Sequence, residues 1–312
     1  MTCAGHNLFQ FETLWIIMNL TVEEIITSSA DKMEFAIWLN EERFIDIENI
    51  SCGVCGEELQ LALREAEPDG VCLRCPKGNC RRIYSIRQGS FFFGRNLPIA
   101  RILVIMKQFQ GLEAIASTAR LIGVSANTVS AYFKELRELI NADLELNPIQ
   151  YFLPGVYEVD ETYYEHIKID QGHAVQKQWI AGFLHRDTGK IKIYTVDDRK
   201  RASLLPPLLA GIPPQSVVFS DELRAYRVLQ TTHVHRTVNH SAGDYSHPDN
   251  IPGLGEVSVH VNGMEGVWNS LKNLIANHQC RTLPYLSDYM NMLMFFSDNR
   301  NIFELIKINL DA

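Results

Sequence analysis

Apolar and polar positions alternate with period two in four stretches of the C-terminal half: GVYEVDETYY from Gly155, QKQWIAGFLHR from Gln176, KIKIYTVDD from Lys190 and SVVFSD from Ser216. Each predicts a β-strand. The second and third are joined by Asp187-Thr188-Gly189-Lys190, a hairpin turn signal. A helical pattern covers residues 202–209, a short helix follows SVVFSD, and VHRTVN from Val234 reads as a fifth strand. A helix is then expected over residues 264–277, with Trp268, Leu271 and Ile275 at core spacing. Periodicity alone therefore gives a mixed α/β domain beginning after Asn147-Pro148.

The first half is patterned differently. Residues 20–44 predict one or two amphipathic helices with Met33, Ala36, Ile37 and Leu39 on the apolar side. Between residues 99 and 140 the period is again helical, and LEAIASTARLIGVSANTVSAYFKELREL reads as a helix-turn-helix. Ala119 supplies the small residue where helices cross, Gly123 the turn and Val129 a core position, while Ser125 is placed to cap the second helix. The outward positions of that helix are Ala126, Asn127, Ser130 and Lys134, which could reach base edges or phosphates. The same pattern also occurs in plain helical bundles.

Composition narrows the class. The chain has 312 residues, 46% of them hydrophobic, enough for a substantial core and two domains, or one domain with a small module. The longest apolar runs, at 14–20 and 102–107, are too short to span a bilayer, and Glu12 stands where a secretory leader would be basic. No membrane association and an intracellular location are expected, nuclear in a eukaryotic host or in the cytoplasm and nucleoid of a bacterium. The net charge of −8 hides an asymmetry: residues 70–140 carry eleven basic and three acidic side chains. That block can attract phosphates whatever the overall pI.

Seven cysteines are present, five of them between Cys52 and Cys80, with Cys3 and Cys280 far away. Clustering in an intracellular chain favours metal over disulfides. Cys52-Gly-Val-Cys55 opens a tight turn, and Cys72, Cys75 and Cys80 form a second group. Four thiolates close a structural Zn²⁺ site, so five candidates compete for four places.

Three acids stand out by placement. Asp160 lies in an apolar strand, where an unpaired carboxylate is costly to bury. Asp221 ends the SVVFSD strand, and Glu265 falls in the first turn of the 264–277 helix. The ordinary readings are a helix N-cap for Asp221 and a dipole-favoured first-turn acid for Glu265. Together, three carboxylates from two strands and a helix can hold a pair of hard divalent cations for phosphodiester chemistry. The histidines at 233, 235, 240, 247 and 260 lack helical metal-pair spacing and are read as structural or DNA-contacting.

At VDET (159–162), SDELRAY (220–226), HRTVNHS (235–241), HVNGMEGVWNSLK (260–272) and, upstream, CRRIYSIRQGSFF (80–92), the chain resembles the Merlin transposases and related insertion-sequence transposases. These belong to the Asp-Asp-Glu group with a ribonuclease H-like core. The resemblance implies an α/β fold, a ribonuclease H-like mixed sheet flanked by helices, preceded by a small zinc ribbon and a helix-turn-helix. The domains would be an N-terminal helical segment (1–48), a zinc ribbon (49–95), a helix-turn-helix (96–147) and the catalytic domain (148–312). It places the second cysteine pair at Cys75 and Cys80, giving Cys52, Cys55, Cys75 and Cys80 as zinc ligands, with Cys72 left out.

It further implies a DNA transposase whose Asp160, Asp221 and Glu265 hold two Mg²⁺ ions, replaceable by Mn²⁺. Asn262 is a competing third ligand, and Lys272, two helical turns after Glu265, would hold a DNA phosphate. Hydrolysis at an element end would precede attack of the freed 3′ hydroxyl on target DNA. Partners would be double-stranded DNA, through Asn127, Ser130 and Lys134 among others, and a second copy of the chain in a homodimer or larger assembly. Two other classes remain open: a transposase-derived DNA-binding regulator without activity, and a ribonuclease H-type nuclease. The segment SHPDNIPGLGEVS (246–258) looks longer than in such transposases, as a surface insertion or a lesion would be.

Overall fold

The computed structural model describes residues 21–48, 50–168, 175–278 and 283–307. Cys3, Cys280, Glu12 and the apolar run at 14–20 lie outside the described residues. The chain divides into two compact units, one running to Phe133 and resuming at Asn301, the other spanning Lys134–Arg300.

In the first unit, α1 (Val22–Ser28) starts at a capping box in which Thr21 and Glu24 satisfy each other's backbone N–H. Asp31 caps α2 (Lys32–Glu41) by accepting from the backbone of Met33 and Glu34. Of the apolar positions expected to pack there, Ala36 and Leu39 are fully buried, whereas Ile37 is 42% exposed. A three-stranded antiparallel sheet follows, ordered β1 (Gln60–Leu63), β2 (Val71–Arg74), β3 (Ile83–Tyr84). Arg87, within the CRRIYSIRQGSFF motif, is buried and pairs with Asp69 at 2.6 Å while donating to the carbonyls of Arg95 and Leu97. Asp69 also accepts from the backbone of Ile99, tying the sheet to the start of α3 (Ile99–Gln110).

Helices α4 (Ile115–Ile122) and α5 (Ala126–Leu146) meet at Gly123, whose φ of 68° lies in the left-handed region that suits glycine. Ala119 and Val129 are buried, and the Ser125 hydroxyl accepts from the backbone of Thr128 at 3.1 Å. The boundary between the two units falls within α5, rather than after it.

The second unit is built on a five-stranded sheet. Its strands are β4 (Val156–Lys168), β5 (Val175–His185), β6 (Ile191–Val196), β7 (Val217–Asp221) and β8 (Val234–Val238), in spatial order β6-β5-β4-β7-β8. The first three pair antiparallel, while β7 runs parallel to both β4 and β8. All five expected strands are present, in a mixed sheet. One face buries Tyr157, Val159, Phe183 and Val218 against Leu204 and Leu208 of α6 (Arg201–Gly211) and against Tyr226 and Leu229 of the 3₁₀ turn Arg224–Thr231. The opposite face carries α7 (Asn262–Asn277), with Met264, Trp268, Leu271 and Ile275 buried.

Residues 246–258 are regular secondary structure. They form a hairpin, β9 (His247–Ile251) paired antiparallel with β10 (Gly255–Val259). Ile251 and Val259 join Phe219, Val238 and Val261 in a second apolar cluster. The period-two placement of these apolar residues explains the burial. A further helix, α8 (Leu283–Ser297), is rich in apolar residues without a clear helical period and packs on β6, where the backbone of Ile191 donates to Ser297 at 3.1 Å.

Gly182 sets the closeness of α7 to the sheet. A Cβ there would collide with the Lys192 carbonyl and press on Met264 and Trp268, both 3.3 Å away. Gly182→Ala is therefore expected to cost about 1–3 kcal/mol by overpacking. A denaturant midpoint equal to wild type would disprove this account of the helix seat.

Candidate active site

Register brings the first two acids together. Glu158 on β4 pairs with Phe219 on β7 in a parallel ladder, so two residues further along each strand Asp160 comes level with Asp221. The paired part of β7 ends there, which leaves the carboxylates at an open strand end. Oxygens of Asp160, Glu161 and Asp221 all lie within 4.8 Å of one another. Side chains alternate along a strand, so Asp160 faces α7 and Glu161 the other side. Beyond the end of β7, β4 is paired on one side only, with β5.

Asp160 accepts from the Trp268 indole at 2.9 Å. Burial, with the neighbouring Glu161 and Asp221 charges and against the Trp268 bond, pushes its pKa up to about 7. Asp221 Oδ1 accepts from the Leu223 backbone at 2.9 Å, the capping contact of the ordinary reading, while Oδ2 lies 4.0 Å from Arg199. Glu161 is almost wholly buried: one oxygen accepts from the Tyr226 hydroxyl at 2.6 Å and the other from Arg199 Nε at 2.7 Å. Burial raises its pKa, opposed by the Tyr226 and Arg199 contacts.

Glu265 is not part of that acid group. It sits in the first turn of α7, half-exposed, 3.9 Å from His240 Nδ1. It precedes by three residues Trp268, whose indole touches Asp160, so Glu265 lies one turn along on the same side of the helix. Asn262, the first residue of α7, and Lys272 are exposed. Trp268, expected as a core residue, is both buried and a hydrogen-bond donor to an acid.

The start of α7 is held by a buried network. Glu158 accepts from Arg186 Nε at 2.7 Å and from the Met264 backbone at 3.1 Å. Arg186 also donates to the carbonyls of Ser258 and His260, and His260 Nδ1 lies 3.3 Å from Glu158. Neither Glu158, Glu161 nor Arg199 was singled out by motif reading. The alternation of strand β4 marks Glu158 and Asp160 as one face, and that is the signal available for Glu158. Of the five histidines, His235 bonds Ser220 at 2.8 Å and burial pushes it down to about 4. His247 pairs with Asp244.

In the first unit, sulfur atoms of Cys52, Cys55, Cys75 and Cys80 lie within 4.8 Å of one another. Cys52 and Cys80 are 3.6 Å apart, Cys55 and Cys75 3.5 Å, close to the roughly 3.8 Å edge of a tetrahedral four-thiolate zinc site. Cys72 is buried on β2 opposite Ala62, outside the group. A hydrogen bond from Tyr84 at 3.4 Å is the first cause holding the Cys52 thiol down to about 6, whereas burial pushes Cys75 up to about 12. One zinc per chain is expected by elemental analysis, lost in Cys52→Ser or Cys80→Ser and kept in Cys72→Ser. Zinc retained in the first two variants would dismiss this ligand set.

On α5, Asn127, Ser130 and Lys134 are all exposed, with Lys134 3.5 Å from Glu138. Among the described residues no helix is long and apolar enough to cross a membrane.

No curated protein matches the chain significantly. Among solved structures, the HTLV-2 integrase catalytic core domain in complex with magnesium is similar at 13% identity and a TM-score of 0.31, covering 51% of this chain and 99% of that one. The Mos1 strand transfer complex is similar at 11% identity and a TM-score of 0.23, covering 64% of this chain and 75% of that one. Residues 152–298, which hold β4 through α8 and all three acids, match the family model of the ISXO2-like transposase domain.

Proposed function

We propose that this transposase cuts the ends of a mobile DNA element and joins them to target DNA at a site formed by Asp160, Asp221 and Glu265. The observation that carries the reading is the register that sets Asp160 beside Asp221 at an open strand end, within a domain of transposase family. Oxygen donors crowded within 4.8 Å suit hard divalent cations, Mg²⁺ or Mn²⁺, because unrelieved carboxylate repulsion is what raises Asp160 beyond the effect of burial. When bound, a cation pair stabilises charge on the attacking and leaving oxygens of an in-line displacement.

The chain's own residues prepare that chemistry. Trp268 fixes one Asp160 oxygen, and the Leu223 backbone fixes one Asp221 oxygen, which leaves the other oxygen of each to face the open strand end. Glu158 and Arg186 hold the first turn of α7, and with it Glu265 and Asn262. Lys272, seven residues after Glu265, lies on nearly the same helix face and would engage a DNA phosphate. Hydrolysis at the element end and attack by the freed 3′ hydroxyl are both displacements at phosphorus, so one site serves both.

In the first unit, the four-cysteine module would hold zinc. The helical pair α4 and α5, with Asn127, Ser130 and Lys134 outward, would recognise terminal repeats in duplex DNA, and synapsis of two ends would need at least a homodimer. The deciding experiment uses purified protein and a duplex from the end of the element carrying the gene, with Mg²⁺. Cleavage at the element boundary is expected. Tight binding without cleavage would move the assignment to a DNA-binding regulator, and cleavage confined to RNA–DNA hybrids would move it to a ribonuclease.

A further inference from the structure

Arg199 is a cation held in place at the edge of the acid site by a buried carboxylate. It lies between β6 and α6, and its Nε and Nη2 both donate to a single oxygen of Glu161. The Glu161 side chain is only 2% exposed, and its second oxygen is taken by the Tyr226 hydroxyl at 2.6 Å. The Arg199 side chain, by contrast, is 41% exposed. Its guanidinium stacks over Trp179 at 5.0 Å and comes within 4.0 Å of Asp221. Among the described residues, Nη1 has no hydrogen-bond partner.

A buried carboxylate costs several kcal/mol in desolvation, and a neighbouring cation offsets that only in good geometry. If neutralising Glu161 were the sole purpose of the pair, the guanidinium would be sealed in with it. Here the buried partner and the stacked indole fix the plane of a guanidinium that stays 41% exposed, with Nη2 4.0 Å from Asp221 and Nη1 left over for a further acceptor. A planar fork held this way suits a phosphate oxygen, and Arg presents it with less ordering cost than Lys.

We propose that Arg199, oriented by Glu161 and Trp179, contacts the DNA itself, donating from its outer edge to a non-bridging oxygen of the backbone phosphate at the cut end. This rests on the transposase reading of the acid site. Because Glu161 balances its charge, Arg199 acts through a directed hydrogen bond at one phosphate rather than through bulk attraction. Its loss should hardly alter the salt dependence of binding.

The test is a double-mutant cycle between protein and DNA, read as binding by fluorescence anisotropy with Ca²⁺ in place of Mg²⁺. The probe is a duplex from the element end, carrying a single methylphosphonate stepped through the phosphates around the cut. With wild-type protein, one position should weaken binding about tenfold, the scale of one charge-assisted hydrogen bond. With Arg199→Gln, unmodified DNA should bind about tenfold more weakly, and the methylphosphonate at that position should cost less than about twofold more. The paired variant Arg199→Gln with Glu161→Gln, which leaves no buried charge unpaired, should behave as Arg199→Gln does.

Equal methylphosphonate penalties in wild type and both variants, with wild type cutting unmodified ends under Mg²⁺, would overturn the Arg199 contact and leave the transposase reading standing. Wild type that neither cuts the element end nor prefers it to unrelated duplex would overturn both.

Discussion

Replacing Asp160 or Asp221 with alanine is expected to abolish Mg²⁺-dependent cleavage of element ends while leaving binding of uncut end DNA within about twofold of wild type. The two acids come level through the parallel pairing of β4 and β7, and each has one oxygen committed to a protein donor. Removing either leaves two acids where three are crowded, and it loses several kcal/mol of charge stabilisation at phosphorus. At 1.36 kcal/mol per decade, that is a fall in rate on the order of a thousandfold. Binding should persist because the exposed α5 positions Asn127 and Ser130 belong to the other compact unit. Cleavage at a tenth of the wild-type rate or better in either purified variant would sink the pair.

Asp160 gives a second readout that needs no DNA. Its pKa in the fold, about 7, is raised above the ordinary 3.8, so the fold favours the protonated acid. That contribution is fully present below about pH 4 and is lost as pH rises through about 7, at roughly 1.4 kcal/mol per pH unit between them. Without divalent cations, Asp160→Asn should therefore gain stability over wild type as pH rises, and the difference between the two should flatten below pH 4. Denaturant midpoints at pH 4, 6 and 8 check this. A wild-type-minus-variant difference independent of pH would remove the crowded-acid picture.

What could be read from the chain beforehand was local. The strands carrying Asp160 and Asp221 and the helix carrying Glu265 have strong periodicity, and turn chemistry at Gly123 and at residues 187–190 punctuates them. Spacing alone left five cysteines competing, whereas the fold gathers four sulfurs because Cys72 is taken into the ladder of β2. The residues that escaped notice act through distant partners. Glu161 meets Tyr226 and Arg199, 65 and 38 positions away, and Arg186 meets His260 across 74. Such pairings depend on strand order and on where β7 stops, neither of which period-two patterning encodes. Glu161 in particular is hidden from motif reading, since its place next to Asp160 predicts the opposite face. Helix α8 was missed for a simpler reason: apolar on most sides, it has little periodicity to detect.

The third acid is the sharpest remaining choice, and Glu265→Gln is expected to eliminate cleavage while Asn262→Ala reduces it only in part. Both residues stand at the exposed start of α7, but an anionic oxygen binds Mg²⁺ better than a neutral amide, and two aspartates alone leave a cation pair short of negative charge. Glu265 lies beside His240 and outside the Asp160–Glu161–Asp221 group, so as a third ligand it would have to swing toward the acid pair. The helix is already in place for that movement: Trp268, one turn on, touches Asp160, and Glu158 grips the backbone of Met264. The positive end of the helix favours the anion in either position. Lys272 follows on the same face, whereas the residue seven after Asn262 is Asn269, which has no charge to offer a phosphate. Lys272→Ala should accordingly weaken engagement of the cut end more than recognition of uncut DNA. Normal Mg²⁺-dependent cleavage by Glu265→Gln, together with an inactive Asn262→Ala, would transfer the third ligand to Asn262 and leave Glu265 as a partner of His240.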